Sequence, residues 1–178
     1  MADAIVLPGR IFGPAAGMLM YAGEIANRRG ATLHRHSWSG EPPTPSEPET
    51  ERWVCDEVVP LLDALGGSPL LIAKSLGTNA ASLAAERSLP AVWLTPLLTS
   101  PWVAAALGRA TAPFLLVGGT ADDTYWDGVL ARRLSPYVVE VEGADHGLYV
   151  PGQLTRSIAV LGDVVDAVET FLDAAGWP

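Results

Sequence analysis

The chain alternates short apolar runs with longer segments of helical spacing, and this alternation limits the folds open to it. The apolar runs have the length of strands and look uniformly hydrophobic, as strands do when neither face of a sheet meets water. These runs cover residues 4–7, 70–73, 91–95, 113–117 and 137–141, and residues 31–36 form a further extended, partly β-branched segment that we also interpret as a strand. The helical segments cover residues 14–29, 50–65, 76–88, 101–108, 126–134 and 154–175. We therefore predict an α/β fold, a three-layer α/β/α sandwich with about six parallel strands.

Length and composition limit the classes of protein to consider. A chain of 178 residues fits a single domain over residues 1–178, and 49% apolar with 17% charged residues is typical of a globular protein. The formal net charge of −9 argues against binding to nucleic acid or to an anionic membrane surface. The one cysteine, Cys55, excludes an internal disulfide and a cysteine-rich metal site, and we expect it to pack on a helix face.

The N-terminus and one later loop give two further indications. The first residues carry no basic segment, and the first apolar run ends at Pro8 and Gly9, which indicates neither a signal peptide nor a membrane span. We expect a cytoplasmic protein, monomeric or homodimeric. Residues 37–48 are rich in Pro and Ser, so we interpret them as a surface loop; whether this loop covers the site stays open.

One serine lies at the junction between the apolar run at residues 70–73 and the helical segment after it. Ala73, Ser75 and Gly77 form a small-x-Ser-x-Gly pattern, in which small residues allow a sharp turn that holds the hydroxyl at the carboxyl edge of a sheet. Ser75 is then a candidate nucleophile, and the backbone N–H of Leu76 can face a developing oxyanion. A serine that only caps the following helix would fit the pattern equally well.

A nucleophilic serine needs a base, and the chain has three histidines. His34 and His36 precede Ser75 on a predicted strand, whereas His146 lies in a Gly-flanked loop directly after the last predicted strand. An acid that orients His146 is expected after the preceding strand, where residues 118–123 contain it. The order is then Ser, Asp, His, with His146 taking the serine proton and the acid stabilising the imidazolium.

The acidic candidates each allow a simpler interpretation. Asp122 and Asp123 could both cap the helix that follows them, and Asp123 fits that role better. Asp145 adjoins His146, but neighbours in an extended segment tend to point opposite ways, so we interpret it as solvated.

Other polar side chains near these motifs also have structural explanations. His34 and His36 could form a metal pair, but no third ligand of matching placement is present, and we expect no metal site. Lys74 is the only lysine and adjoins Ser75. The residue before the serine should point away from it, so we predict that Lys74 is a surface charge or supports the site from outside.

Taken together, the motifs resemble those of small, lidless serine hydrolases of the α/β-hydrolase family. The resemblance rests on residues 7–10, 73–77, 119–122 and 144–147, each at the end of a predicted strand and in the family's order. It implies acyl transfer without a cofactor, and it favours Asp122 over Asp123 as the orienting acid. It also implies that the chain begins at the family's third strand and has no cap, which leaves a shallow, open site.

The resemblance also implies a second oxyanion donor in the loop over residues 8–13. We assign this role to the backbone of Arg10, with Ile11 as the close alternative. The family's usual His-Gly at this turn is Pro-Gly here.

Five aromatic residues follow predicted strands or begin helices near the same edge of the sheet. About two of the five are expected to contact substrate, and the others to pack. The five are Phe12, Trp38, Trp102, Trp126 and Tyr149. An open, aromatic-lined site favours small or flat uncharged esters or thioesters as substrates.

We therefore predict a carboxylesterase-like serine hydrolase with Ser75, His146 and Asp122 as its triad. The same site would serve a thioesterase, peptidase, lactonase or cyclising enzyme equally well. A non-catalytic binding protein that uses the same cleft is the main alternative from another class. A nucleotide-binding domain is disfavoured, because the turn after the first strand lacks a Gly-rich phosphate motif.

Overall fold

The computed structural model describes residues 2–44 and 47–178; Met1 and residues 45 and 46 of the expected surface loop lie outside the described residues. Within these described ranges, six parallel strands form one sheet in the order β2-β1-β3-β4-β5-β6. The strands are β1 (Asp3–Leu7), β2 (Thr32–Arg35), β3 (Leu70–Lys74), β4 (Ala91–Leu94), β5 (Phe114–Gly119) and β6 (Tyr137–Val141). The predicted number and direction of the strands are confirmed.

In the part of the chain that the structure describes, six α-helices and one 3-10 helix cover the sheet. The α-helices are α1 (Gly17–Arg28), α2 (Glu49–Leu65), α3 (Ala81–Arg87), α4 (Pro101–Arg109), α5 (Gly128–Leu134) and α6 (Leu154–Ala174). The 3-10 helix spans Ser75–Ala80. Only α4 lies between β4 and β5, a stretch that the structure describes completely, so no cap domain is inserted there.

Alternate strand residues face opposite layers, which produces two hydrophobic cores. One core packs the sheet against α2, α3, α4 and α5, and includes Ile5 and Trp93. The other packs it against α1 and α6, and includes Val6 and Phe171. Cys55 lies on α2 and packs against the first core, as expected. The predicted three-layer architecture is therefore confirmed.

The segment after β3 differs from the expected single helix. Residues 75–80 form a tighter 3-10 helix before α3 begins. The Thr78 hydroxyl donates to the Ser75 carbonyl at 2.6 Å, and the Asn79 side-chain amide donates to the Leu76 carbonyl at 2.9 Å. Such local side-chain bonds compete with α-helical backbone bonds, so they favour the tighter turn.

The register of the sheet brings several loops to one edge. β3 pairs with β1 and β4, so residues after Leu7, Lys74 and Leu94 lie side by side. β5 pairs with β4 on one side and with β6 on the other, so the loop after β6 reaches the same edge. Within the described residues, no helix is both long and apolar enough to cross a membrane.

Candidate active site

Ser75 stands at a sharp turn between β3 and the 3-10 helix. Its φ of 50° lies in the left-handed region that non-glycine residues rarely adopt. Gly77 packs directly against β1, where a Cβ would lie only 2.7 Å from the Leu7 carbonyl oxygen. The turn therefore requires a glycine at position 77, and it directs the Ser75 side chain towards His146 instead of capping the helix.

A chain of hydrogen bonds joins Ser75, His146 and Asp122. His146 Nε2 lies 2.8 Å from Ser75 Oγ, and His146 Nδ1 lies 2.6 Å from Asp122 Oδ2. Asp122 is buried directly after β5, and its other oxygen accepts the Tyr125 backbone N–H at 3.3 Å. Because a carboxylate only accepts, Nδ1 carries the proton, and Nε2 is left to accept the serine hydroxyl.

The neighbouring acids have other structural positions. Asp123 is exposed, and the cap of α5 is not Asp123 but Asp127, which accepts two backbone N–H groups at the helix start. Asp145 is more than a solvated neighbour, because its Oδ1 accepts the N–H groups of Gly147 at 2.8 Å and Tyr149 at 3.0 Å. Asp145 therefore shapes the loop that carries His146.

Of the two roles predicted for Lys74, its contacts fit support of the site from outside and not a surface charge. Its Nζ is partly buried and donates to Thr95 Oγ1 at 2.7 Å and to the His146 carbonyl oxygen at 3.0 Å. Burial lowers the pKa of Lys74 to about 8, although Asp122 and Asp145 act in the opposite direction. Lys74 thus links the end of β3 to the residue after β4 and to the histidine loop.

The other two histidines form separate pairs at the β2 edge of the sheet. His34 bonds to Asp3 at 2.8 Å, and His36 bonds to Glu57 at 2.9 Å. Across residues 2–44 and 47–178, no three His, Cys, Asp or Glu side chains are grouped as metal ligands.

The loop after β1 lies against Ser75. A Cβ on Gly9 would be 3.6 Å from the Ser75 Cβ, so the backbone of this loop passes close to the hydroxyl. The Arg10 guanidinium donates to the Pro43 carbonyl at 2.8 Å and lies 3.7 Å from Glu41. The charged end of Arg10 is thus held by the loop after β2.

A cavity of about 530 Å³ opens above Ser75 and His146. One wall comes from the loop after β1 and the start of α1, and the other from the histidine loop and the first turns of α6. The apolar lining side chains are Ile11, Phe12, Met18, Leu148, Tyr149, Leu154, Ile158 and Leu161. The volume falls within the range of small-molecule sites, which is roughly 300 to 1,000 Å³.

Two of the five aromatic residues expected near substrate line this cavity, namely Phe12 and Tyr149. The other three do not, because their indole groups are used in packing elsewhere. Trp38 donates to the Gly9 carbonyl at 3.3 Å, Trp102 to Asn79 Oδ1 at 2.7 Å, and Trp126 to Glu140 Oε2 at 2.7 Å. The Trp126 bond is also the main reason that the pKa of Glu140 is lowered.

The α6 wall was missed by the sequence analysis. Leu154, Ile158 and Leu161 follow one another at helical spacing and line the cavity. They form an apolar stripe beside the stripe of Val160, Val164 and Val168 that packs on the sheet. Two apolar stripes on one helix were the available signal, because packing on a core requires only one.

Comparisons with known proteins identify the class of fold. No protein-family model matches the sequence, and no curated protein matches it. Est1E from Butyrivibrio proteoclasticus, in a structure with ferulic acid bound, shares 15% identity and a TM-score of 0.73 over 98% of this chain and 89% of that one. An α/β serine hydrolase without a lid from Xanthomonas campestris shares 14% identity and a TM-score of 0.58 over 96% and 83% of the two chains. An esterase from Pyrococcus furiosus shares 15% identity and a TM-score of 0.59 over 97% and 83%.

At these identities the matches establish the fold. The chain has a small α/β-hydrolase fold with six parallel strands, and its structural neighbours are hydrolases and esterases, one of them without a lid. The resemblance to lidless α/β-hydrolases is confirmed at this level.

Proposed function

We propose that this protein is a serine hydrolase that cleaves ester or thioester bonds through an acyl-enzyme on Ser75. The observation that carries the proposal is the continuous hydrogen-bond chain from Asp122 through His146 to Ser75, with distances of 2.6 and 2.8 Å. Three side chains from separate loops meet in this order: Ser75 and His146 line an open cavity, and Asp122 is buried behind His146. A serine with only a structural role would not need a histidine and a buried carboxylate aligned behind it.

The first half of the reaction makes the acyl-enzyme. Ser75 Oγ attacks the carbonyl carbon as its proton passes to His146 Nε2, and Asp122 stabilises the resulting imidazolium. The backbone N–H groups of Leu76 and Arg10 hold the oxyanion of the tetrahedral intermediate. Leu76 lies in the first turn of the 3-10 helix, where N–H groups have no partner within the helix. His146 then gives its proton to the departing alcohol or thiol.

The second half returns the enzyme to its starting state. A water molecule gives a proton to His146 Nε2 and attacks the acyl carbonyl, so that a second tetrahedral intermediate forms in the same oxyanion site. Its collapse releases a carboxylic acid, and the proton on His146 returns to Ser75 Oγ. The reaction consumes water and requires no cofactor.

Labelling with a fluorophosphonate, followed by intact mass and peptide mapping, tests the proposal. We expect one phosphonyl adduct on Ser75, no adduct on Ser75→Ala and at most slow labelling of His146→Ala. Ser68→Ala is the matched control, because Ser68 is an exposed serine just before β3, at the opposite edge of the sheet. A folded wild-type protein that forms no adduct, or an adduct that persists in Ser75→Ala, would overturn the proposed mechanism.

A further inference from the structure

We propose that the cavity beside Ser75 is a binding site for an extended, uncharged apolar chain attached to the scissile ester. This inference rests on the proposed function and names the substrate class of the same site. The chain lies between the loop after β1, with Ile11 and Phe12, and the first turns of α6, with Leu154 and Ile158.

Exposed apolar side chains are concentrated at this cavity. Among the described residues, eight large hydrophobic side chains are exposed, and five of them line it. The five are Ile11 (80% exposed), Phe12 (70%), Tyr149 (59%), Leu154 (64%) and Ile158 (60%). Single exposed apolar residues need no explanation, but a contiguous group is typical of a ligand-binding groove. The concentration therefore indicates an apolar ligand.

Folding alone does not explain the α6 wall. Val160, Val164 and Val168 already pack this helix on the sheet. Leu154 and Ile158 add a second stripe that faces the cavity and contributes little to the core. Covering an apolar side chain that is exposed to water lowers the free energy, because its apolar surface is removed from water. Because the stripe begins at the cavity that contains Ser75, the apolar part of a substrate is the occupant that fits.

The charged side chains around the cavity favour an uncharged ligand over an ionic one. The protein carries 20 acidic residues, yet none of the residues that line the cavity is acidic, so a cationic group finds no partner there. Two lining residues are cationic, and other groups already bind both. Arg10 bonds to Pro43 and lies near Glu41, and Lys74 bonds to Thr95 and His146. An uncharged chain is the ligand that this lining favours.

The chain could belong to the acyl or to the alcohol part of the ester, and a kinetic experiment separates these sources. One series varies the acyl group of p-nitrophenyl esters from two to ten carbons, and the other varies the alcohol of acetate esters over the same range. In the arm whose chain occupies the cavity, each added methylene should raise kcat/KM by up to about fourfold until the cavity is filled. A flat profile in both arms would overturn the inference.

Ile158→Ser should reduce that increment, because Ile158 lies on the α6 wall that the chain is proposed to contact. Val129→Ser is the matched control: Val129 is 57% exposed on α5, outside the cavity, and its replacement should leave the chain-length profile unchanged. Equal profiles for Ile158→Ser and wild type would count against the α6 wall as the binding surface.

A binding measurement makes the inference independent of catalysis. The chain has five isoleucines: Ile11 and Ile158 lie on opposite walls of the cavity, and three are buried in the cores. In Ser75→Ala labelled at the isoleucine δ1 methyl groups, 1-octanol should shift the Ile11 and Ile158 signals saturably, with weaker binding of 1-butanol. Ile5, Ile25 and Ile72 are the internal controls and should not move.

The two failures are distinguishable. Saturable methyl shifts without a phosphonyl adduct on the wild type would support the apolar site and overturn the proposed hydrolase activity. An adduct on Ser75 with no methyl shifts and no chain-length dependence would keep the hydrolase and overturn the apolar site.

Discussion

Two regions border the cavity, and they are built in opposite ways. The nucleophile turn, from β3 to the 3-10 helix, is buried, carries a left-handed φ at Ser75 and packs Gly77 against the β1 backbone. The first two turns of α6 present Leu154 and Ile158 to solvent, more than half exposed. One region is closely packed around Gly77, and the other has an apolar surface with little packed against it.

The nucleophile turn suits chemistry that needs fixed positions, and the α6 wall suits recognition that tolerates small changes. Acyl transfer requires reacting atoms held within fractions of an ångström, so its groups belong on tightly packed strand ends. An apolar chain binds by contact area, which tolerates small changes in the wall. Substitutions at the turn should therefore change rate and stability together, whereas substitutions of the cavity-lining residues Leu154 and Ile158 on α6 should change substrate preference with little effect on stability. Substitutions of Asp122, Gly77, Lys74 and Gly162 test that separation.

Asp122→Asn should lower kcat/KM by about 10⁴-fold with little loss of stability. An asparagine can keep the contact with His146 Nδ1, but its amide N–H stabilises the tautomer in which Nε2 carries the proton and cannot accept one from Ser75. Steady-state kinetics on a p-nitrophenyl ester and urea unfolding give the two readings. Asp123→Asn, an exposed aspartate one position along, is the control and should stay near wild type.

This pair of variants also tests the choice between the two aspartates. If Asp123→Asn lost as much activity as Asp122→Asn, the acid assignment would be wrong. Full activity in Asp122→Asn would remove the proposed role of the triad.

Gly77→Ala should destabilise the protein by about 3 kcal/mol, at the upper end of typical overpacking. The new Cβ would lie 2.7 Å from the Leu7 carbonyl oxygen and 2.9 Å from the Leu7 Cβ, so a strand has to move. Because Ser75 lies on the same turn, fluorophosphonate labelling should slow as well. Gly9→Ala is the control for stability, since its Cβ would make an ordinary contact of 3.6 Å with Ser75. Equal unfolding free energies for the two variants would contradict a tightly packed turn.

The contrast between the regions also explains what could be predicted from the sequence. The positions of Ser75, Asp122 and His146 follow from backbone connectivity, because residues just after parallel strands must meet at one edge of the sheet. Short-range motifs at those strand ends named Ser75 and His146 but left Asp122 and Asp123 open, and only the resemblance to a known family favoured Asp122. In the structure, hydrogen bonds join Ser75, His146 and Asp122.

Long side chains were not predictable in this way. Lys74 could extend to solvent or to a carbonyl, and only the tertiary structure brings the His146 loop within its reach. Trp102 could line the cavity or pack, and Asn79 on the 3-10 helix provides the partner that holds it away. The second stripe on α6 was visible as a pattern, but the sequence does not say which surface it faces.

Lys74 should titrate near pH 8, because burial lowers its pKa from the ordinary value of 10.5. It is the only lysine, so a protein labelled at lysine Cε gives one resonance whose pH titration reports it directly. Lys74→Met should lower kcat/KM by about tenfold, since it removes one bond to the His146 loop. A midpoint near 10.5 would contradict the buried position.

The same group predicts a pH dependence of stability. Between pH 8 and 10.5 the unfolded chain binds more protons than the folded one. The free energy of unfolding of wild type should therefore rise relative to that of Lys74→Met by up to about 1.4 kcal/mol per pH unit. Below pH 8 the difference should stay constant. Urea unfolding of both proteins from pH 6 to 10 measures it, and a constant difference over the whole range would contradict the prediction.

Gly162→Ala should stabilise the protein by about 1 kcal/mol and leave kcat/KM unchanged for every chain length. Gly162 is exposed inside α6, and a Cβ there would meet no atom within 4 Å, so the substitution only raises helix propensity. Urea unfolding and the ester series provide the measurements. If a stiffer α6 altered the rate for short esters, the helix would be coupled to the nucleophile turn, and the two regions would not be separable. An unchanged rate with higher stability would show that α6 and the nucleophile turn are not energetically coupled.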